Sequence, residues 1–442
     1  MRPIGPIGLV SLLALAAVSA GWAADPDAHW PRWRGPLDTG ESPNANPPIE
    51  WSPEKNIRWK LPIPGRGHST PVIWGDRVYL TTAIPVGKRL SPTYSGRDGA
   101  HNNLPITNRQ EFAVIAVSRS KGKIEWQKTV HREIPHEGAH ESASLASNSP
   151  VTDGQRIYAY FGSRGLFCLA PDGKLLWKKL FGKKHTKHGH GEGASPTLHS
   201  DTLIVNWDHQ EQSFVTALDK HSGKEIWKKQ REELTSWATP IVVEHGGRQQ
   251  VIVPGTGRMR AYDLKTGEVI WECAGLSANI CASPVAADGM VYAGSSYVKR
   301  GFVAVNLAGA AGDITGTKNV AWTRVRGTPY VPSPLLYQGS LYFFNHYQNV
   351  LTRLEAQSGK DAPGAMRLPG IGNIYASPVA AQGRVYITDL DGSTLVMSAD
   401  PKPKFLALNH LNDGIAASPA LAENELYLRG AKHLYCIAEK QE

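Results

Sequence analysis

Ala217-Leu218-Asp219-Lys220-His221-Ser222-Gly223-Lys224-Glu225-Ile226-Trp227 decides the fold, because the chain repeats it. It returns as Ala261-Tyr262-Asp263-Leu264-Lys265-Thr266-Gly267-Glu268-Val269-Ile270-Trp271, more loosely as Ala116 to Trp126, and shortened as Leu169 to Trp177. Each copy reads as a strand, a tight turn in which glycine takes a positive φ, and a strand carrying a buried aromatic. Self-similarity of this kind sets the architecture before any other signal is weighed.

Working outward, a Ser/Thr-Pro pair opens each repeat: Thr70-Pro71, Ser149-Pro150, Ser195-Pro196, Thr239-Pro240, Ser283-Pro284, Ser333-Pro334, Ser377-Pro378 and Ser418-Pro419. Proline is tolerated at a strand's first residue, where its missing N–H costs least. A β-rich strand follows each pair, as in Val78-Tyr79, Val291-Tyr292 and Val385-Tyr386. Trp126, Trp177, Trp227, Trp271 and Trp322 close the first five repeats; the next two are degenerate, with Met366 and Phe405 near the expected place. Eight units of this size match four-stranded propeller blades.

The eighth unit runs out at Ile437 with three strands, while Asn56 to Pro62 is a tryptophan-bearing strand with nothing before it. Pairing the two removes both exposed edges. The predicted fold is all-β: an eight-bladed propeller of four-stranded antiparallel blades, residues 56–438, its last blade completed by the N-terminal strand. Residues 25–55, rich in Pro and Trp, read as an ordered strap on the surface, and 439–442 as a tail. Arg2, the apolar run Ile7 to Ala20 and the small residues around Ala20 to Ala23 mark 1–24 as a secretory signal. Export to the periplasm or beyond is therefore expected, with no spanning segment.

The net charge of +9 lies in no long basic run and no recognition-helix pattern, so nucleic acid is not an expected partner. Cys168 and Cys436 occupy matching mid-strand positions in different blades and should not pair; a bond between Cys273 and Cys281 stays open.

The Ser-Pro starts, the Val/Ile-Tyr strand and Ala-Leu-Asp-x-x-Ser/Thr-Gly-Lys-x-x-Trp resemble the pyrroloquinoline-quinone-type (PQQ-like) propeller repeat family over residues 56–438. The resemblance implies one of two roles. One is a quinoprotein dehydrogenase holding quinone and calcium at the axis. The other is a non-catalytic exported propeller, similar to the periplasmic subunit of the outer-membrane β-barrel assembly machine. The chain departs from the first in having no adjacent cysteines and no Cys-x-x-Cys-His, and from the second in lacking a lipid-accepting cysteine in its leader. The expectation is a binding scaffold for a protein or other cell-envelope component, as a monomer or within a complex, with no cofactor. The alternatives are a quinone- or metal-dependent oxidoreductase, and a binder of anionic polysaccharide.

Propeller topology puts second-to-third-strand loops and blade-to-blade connections on one face. That face gathers His136, His140 and Glu141, then His188, His190 and Glu192, and Asp208, with His101, His185 and His209 nearby. Imidazole with carboxylate suits a divalent transition metal. A second candidate is a basic funnel of Arg164, Arg258, Lys299, Arg300 and His346 for an anionic ligand. The insertion at 85–110, between two strands of the first repeat, falls on the same face, where insertions often mark binding. Gly255-Thr256-Gly257 has no helix after it and reads as a plain loop.

Overall fold

The computed structural model describes residues 28–439 apart from 298 and 347; the predicted signal segment and the end of the predicted tail lie outside them. Eight small sheets of antiparallel strands form the body, seven of them running from inner to outer strand in chain order. Blade 1 is Val72–Trp74, Arg77–Val86, Arg109–Ser118 and Lys123–Glu133. Blade 8 has Ala420–Ala422, Glu425–Arg429 and His433–Ile437, and Ile57–Pro62 completes it, with Trp59 opposite Cys436 and Leu61 opposite Leu434. The expected head-to-tail closure is thus present. Two three-residue 3-10 turns, Gly162–Arg164 and Lys187–Gly189, interrupt the strands, and no helix among the described residues is long and apolar enough to cross a membrane.

The recurring hairpin works between blades as well as within one. The indole N–H of Trp177 donates to the Lys220 carbonyl at 3.1 Å, and that of Trp227 to the Leu264 carbonyl at 2.8 Å. Each acceptor lies in the turn of the next blade. Trp59, Trp126 and Trp322 do the same. Gly267, at φ +71°, lies under the Trp227 ring, where a Cβ would come within 2.6 Å of it. Glycine is therefore required twice over, for the turn and for the neighbour's tryptophan.

Trp271 breaks the pattern. Its N–H bonds Gln250 of its own blade at 2.9 Å. The turn it would meet in blade 5 is expanded, and Gly312–Asp313 from that turn adds a parallel fifth strand to blade 4. In blades 6 and 7 Gly364 and Ala407 take the tryptophan's register position, two residues from Met366 and Phe405.

A hydroxyl belt joins the innermost strands. The Thr70 N–H donates to Ser149 Oγ at 3.0 Å, Ser149 N–H to Ser195 Oγ, Ser195 N–H to Thr239 Oγ1, and so on through Ser283, Ser333 and Ser377 to Ser418. The closing seam between blades 8 and 1 is made differently. Arg429 donates to the Thr81 and Ser69 carbonyls, and Arg119 bridges to Glu425 and Glu423.

The strap crosses the end of the ring away from the histidines. Trp30 pairs with Ile73 of blade 1, Pro31 accepts from Thr152 of blade 2, and Arg32 reaches the Leu198 carbonyl of blade 3. Two residues later the buried Arg34 donates to the Pro334 and Pro378 carbonyls of blades 6 and 7. Two residues span at most about 7 Å, so the chain must pass over the axis to meet both sides.

Candidate functional site

Three segments bring imidazoles together on the loop face. His101 lies in the blade 1 insertion. His140 ends the strand Ala139–His140, which pairs with Asn103–Leu104 of the insertion in a two-stranded ribbon, Asn103 opposite His140. His190 follows the 3-10 turn Lys187–Gly189 in the connection from blade 2 to blade 3. Backbone bonds lock these segments: His140 N–H to the His190 carbonyl at 3.2 Å, and Glu141 N–H to the Asn102 carbonyl at 2.8 Å. Asn103 Nδ2 adds a bond to the His188 carbonyl at 2.8 Å.

Ring centroids lie 4.7 Å apart for His101 and His190, 4.8 Å for His140 and His190, and 6.0 Å for His101 and His140. Each residue offers a ligand atom within 4.8 Å of the others'. His188 stands beside them, 5.3 Å from His190 by centroid. His101 Nδ1 lies 2.8 Å from the Gly99 carbonyl and His188 Nδ1 lies 2.7 Å from the Asp98 carbonyl. A carbonyl can only accept, so Nδ1 carries the proton and Nε2 keeps its lone pair. His140 Nδ1 lies 2.7 Å from the Ser142 hydroxyl and accepts from the Ser142 N–H at 3.2 Å. His190 Nε2 is buried without a hydrogen-bond partner. Burial first, then the neighbouring imidazoles His140, His101 and His188, push His190 down to about 4, so it is neutral at pH 7.

A second group, His136, Glu137 and His185, lies close by, with a carboxylate in place of one imidazole and an arginine against it. Arg97 Nε donates to Glu137 Oε1 at 2.9 Å, and its guanidinium also touches His185. Thr186 donates twice to the other Glu137 oxygen at 3.1 Å, and His136 Nε2 donates to the Lys184 carbonyl at 2.7 Å. A cation already bridges two members of this group, Glu137 and His185, while His136 Nδ1 is buried without a partner. Neither Glu137 nor Arg97 stands out in the sequence; the signal that could have found Glu137 is its place beside His136.

The remaining candidates are drawn elsewhere. Glu192 accepts from Arg164 at 2.9 Å and from the Ser163 N–H, and Arg164 also pairs with Glu133. Asp208 is fully buried against Arg231 at 2.8 Å and takes a further bond from Ser236. Glu141 is exposed. Arg258 pairs with Glu272 and Asp313, Lys299 and Arg300 are exposed, and His346 stacks on Tyr330. The Gly255-Thr256-Gly257 loop wraps an internal anion: the buried Glu233 carboxylate accepts from Thr256 Oγ1 and from the Gly257 and Arg258 N–H groups. All four cysteines are free thiols, Cys273 and Cys281 included. Beside the ribbon lies a cavity of about 260 Å³, lined by Leu104, Pro105, Ile106, Pro135, Ala139 and Leu145 among others.

A PQQ-like repeat model, described as outer membrane protein assembly factor BamB, matches residues 110–363 and 212–441. No curated protein sequence matches the chain. Among solved structures, BamB from Moraxella catarrhalis is 14% identical, with a TM-score of 0.54, covering 81% of this chain and 99% of its own. A europium-containing methanol dehydrogenase is 12% identical, with a TM-score of 0.60, covering 92% and 90%. A quinohemoprotein alcohol dehydrogenase from Comamonas testosteroni is 10% identical, with a TM-score of 0.59, covering 95% and 82%. At these identities the likeness is one of fold, shared by binding proteins and enzymes alike.

A quinone held with calcium needs carboxylate oxygens free to take a hard cation. On this face Glu192, Asp208, Glu137 and Glu233 are spent on arginines and backbone N–H groups. The separated free thiols do not form the adjacent pair that the resemblance implies for the enzymes. These four carboxylates and the thiols do not supply that group's ligands; among the predicted carboxylates only Glu141 is exposed.

Proposed function

We propose, on the premise that the chain belongs to the PQQ-like repeat family of propellers, that it is an exported, non-catalytic binding propeller that docks a protein of the cell envelope on its loop face. One observation carries this reading. Where the outer strand of a blade turns toward the next blade, the same kind of residue stands exposed: Ile134 after blade 1, Leu180 after blade 2, Leu234 after blade 3 and Val325 after blade 5, each between 49% and 69% accessible. Leu90, Tyr94 and Leu104 on the insertion add to them. Apolar side chains scattered singly mean little, but a set repeated at one structural position on one face favours a protein partner.

The basic-funnel alternative is weakened because Arg164 and Arg258 are neutralised by carboxylates. A photoreactive residue placed at Leu180 or Tyr94, expressed in the native envelope, should give one common adduct. It should vanish with Leu234→Asp and be absent when the probe sits at Lys265 on the opposite end. No adduct from the loop face, or equal labelling at Lys265, contradicts the reading. Addition of PQQ and calcium should give no dye-linked alcohol oxidation; turnover would place the chain with the dehydrogenases instead.

A further inference from the structure

We infer that His101, His140 and His190 bind one divalent transition-metal ion of the zinc class, stapling the blade 1 insertion to the connections that follow blades 1 and 2. The argument begins with donor type. Three imidazoles from three separate segments, without a carboxylate among them, suit zinc, cobalt, nickel or copper and not calcium or magnesium.

One ring nitrogen from each lies within 4.8 Å of the others', a span that one ion can bridge at about 2.0–2.1 Å from each nitrogen after small side-chain rotations. The outer support is that of a metal ligand. His101 is tied through Nδ1 to a backbone carbonyl, which leaves its Nε2 lone pair for an ion, while His140 Nδ1 accepts from the Ser142 N–H at 3.2 Å and lies 2.7 Å from its hydroxyl, so metal binding through Nε2 of His140 requires an Nδ1 proton turned to that hydroxyl. The strongest single observation is His190 Nε2, a buried ring nitrogen with no partner, in a position where a bound cation would satisfy it. The neighbouring group makes the contrast. There a carboxylate stands among the imidazoles and His136 Nδ1 is likewise buried without a partner, but Arg97 bridges Glu137 and His185 and supplies positive charge from within the chain. No such guanidinium reaches the three histidines among the described residues, and His188, with Nδ1 held by Asp98, is at hand on their flank.

Such a staple would order the insertion that borders the cavity and the exposed rim. The site stands apart from the docking reading, because it depends on neither Leu180 nor Leu234. The test uses the full mature chain without a histidine tag, stripped by chelator. Calorimetry with zinc, and visible absorption with cobalt, should both give one ion per chain. His101→Ala and His190→Ala should each weaken zinc binding by at least about 100-fold, more than the loss of an outer-shell partner. His136→Ala with His185→Ala should leave it within about twofold, since those residues serve the Arg97 group. His101 is exposed, so its replacement should leave the circular dichroism unchanged while abolishing the zinc-induced rise in Tm. Stoichiometry well below one, or undiminished affinity in the His101→Ala, His190→Ala double variant, would overturn the site.

Discussion

His68 shows what burial does to a single side chain here. It enters the first inner strand at the closing seam. Burial, then Arg66 and Arg429, push its imidazole down to about 3. An unfolded histidine titrates near pH 6.5, so between about 6.5 and 3 the unfolded chain binds the extra proton. Stability contributed at pH 7 is therefore lost as pH falls through that window. The urea midpoint should drop more between pH 7 and pH 4.5 in the wild type than in His68→Gln; equal drops would mean His68 takes its proton in the folded chain. At this scale the sequence was legible in part. Topology alone put His140, His188 and His190 on one face with His101. It could not say that Glu192 and Asp208 are claimed by Arg164 and Arg231, because those pairings join residues 23 and more positions apart across strands and loops. The same limit hid Arg97, which decides the character of the second histidine group.

The hairpin of residues 217–227 was readable because one residue, the turn glycine, meets two demands that leave a mark in sequence. What sequence spacing does not show is that its tryptophan serves the next blade. Trp227→Ala should lower the unfolding free energy by about 3–5 kcal/mol, as for other large-to-small changes at buried aromatics. Trp227→Phe, which keeps most of the apolar surface but orphans the Leu264 carbonyl, should cost about 1–3 kcal/mol. Urea unfolding checks both, and no loss in Trp227→Phe would deny the inter-blade bond its role. The Ser/Thr-Pro pairs teach a similar lesson. The proline explains the strand start, while the hydroxyl before it earns its place only through an N–H one blade away, a contact set by the ring's geometry.

For the whole molecule, the ring organises everything else. A closed circle places all eight connections on one end, which is why histidines from an insertion and two blade junctions meet. It leaves the other end to the strap, whose Arg34 binds carbonyls of blades 6 and 7. The strap's crossing of the axis was not legible, since no local pattern encodes contacts with both sides of a ring. The closure itself is most directly tested by a disulfide within blade 8 that joins head to tail, between Pro62→Cys and His433→Cys, which are register partners of the first strand and the last. Antiparallel partners lie about 4.5–5.5 Å apart, within disulfide reach. Mild oxidation should give a single intramolecular bond, seen as a faster-migrating monomer on a non-reducing gel, with a raised Tm. Thiols that stay reduced, or that link only between molecules, would contradict a ring joined head to tail.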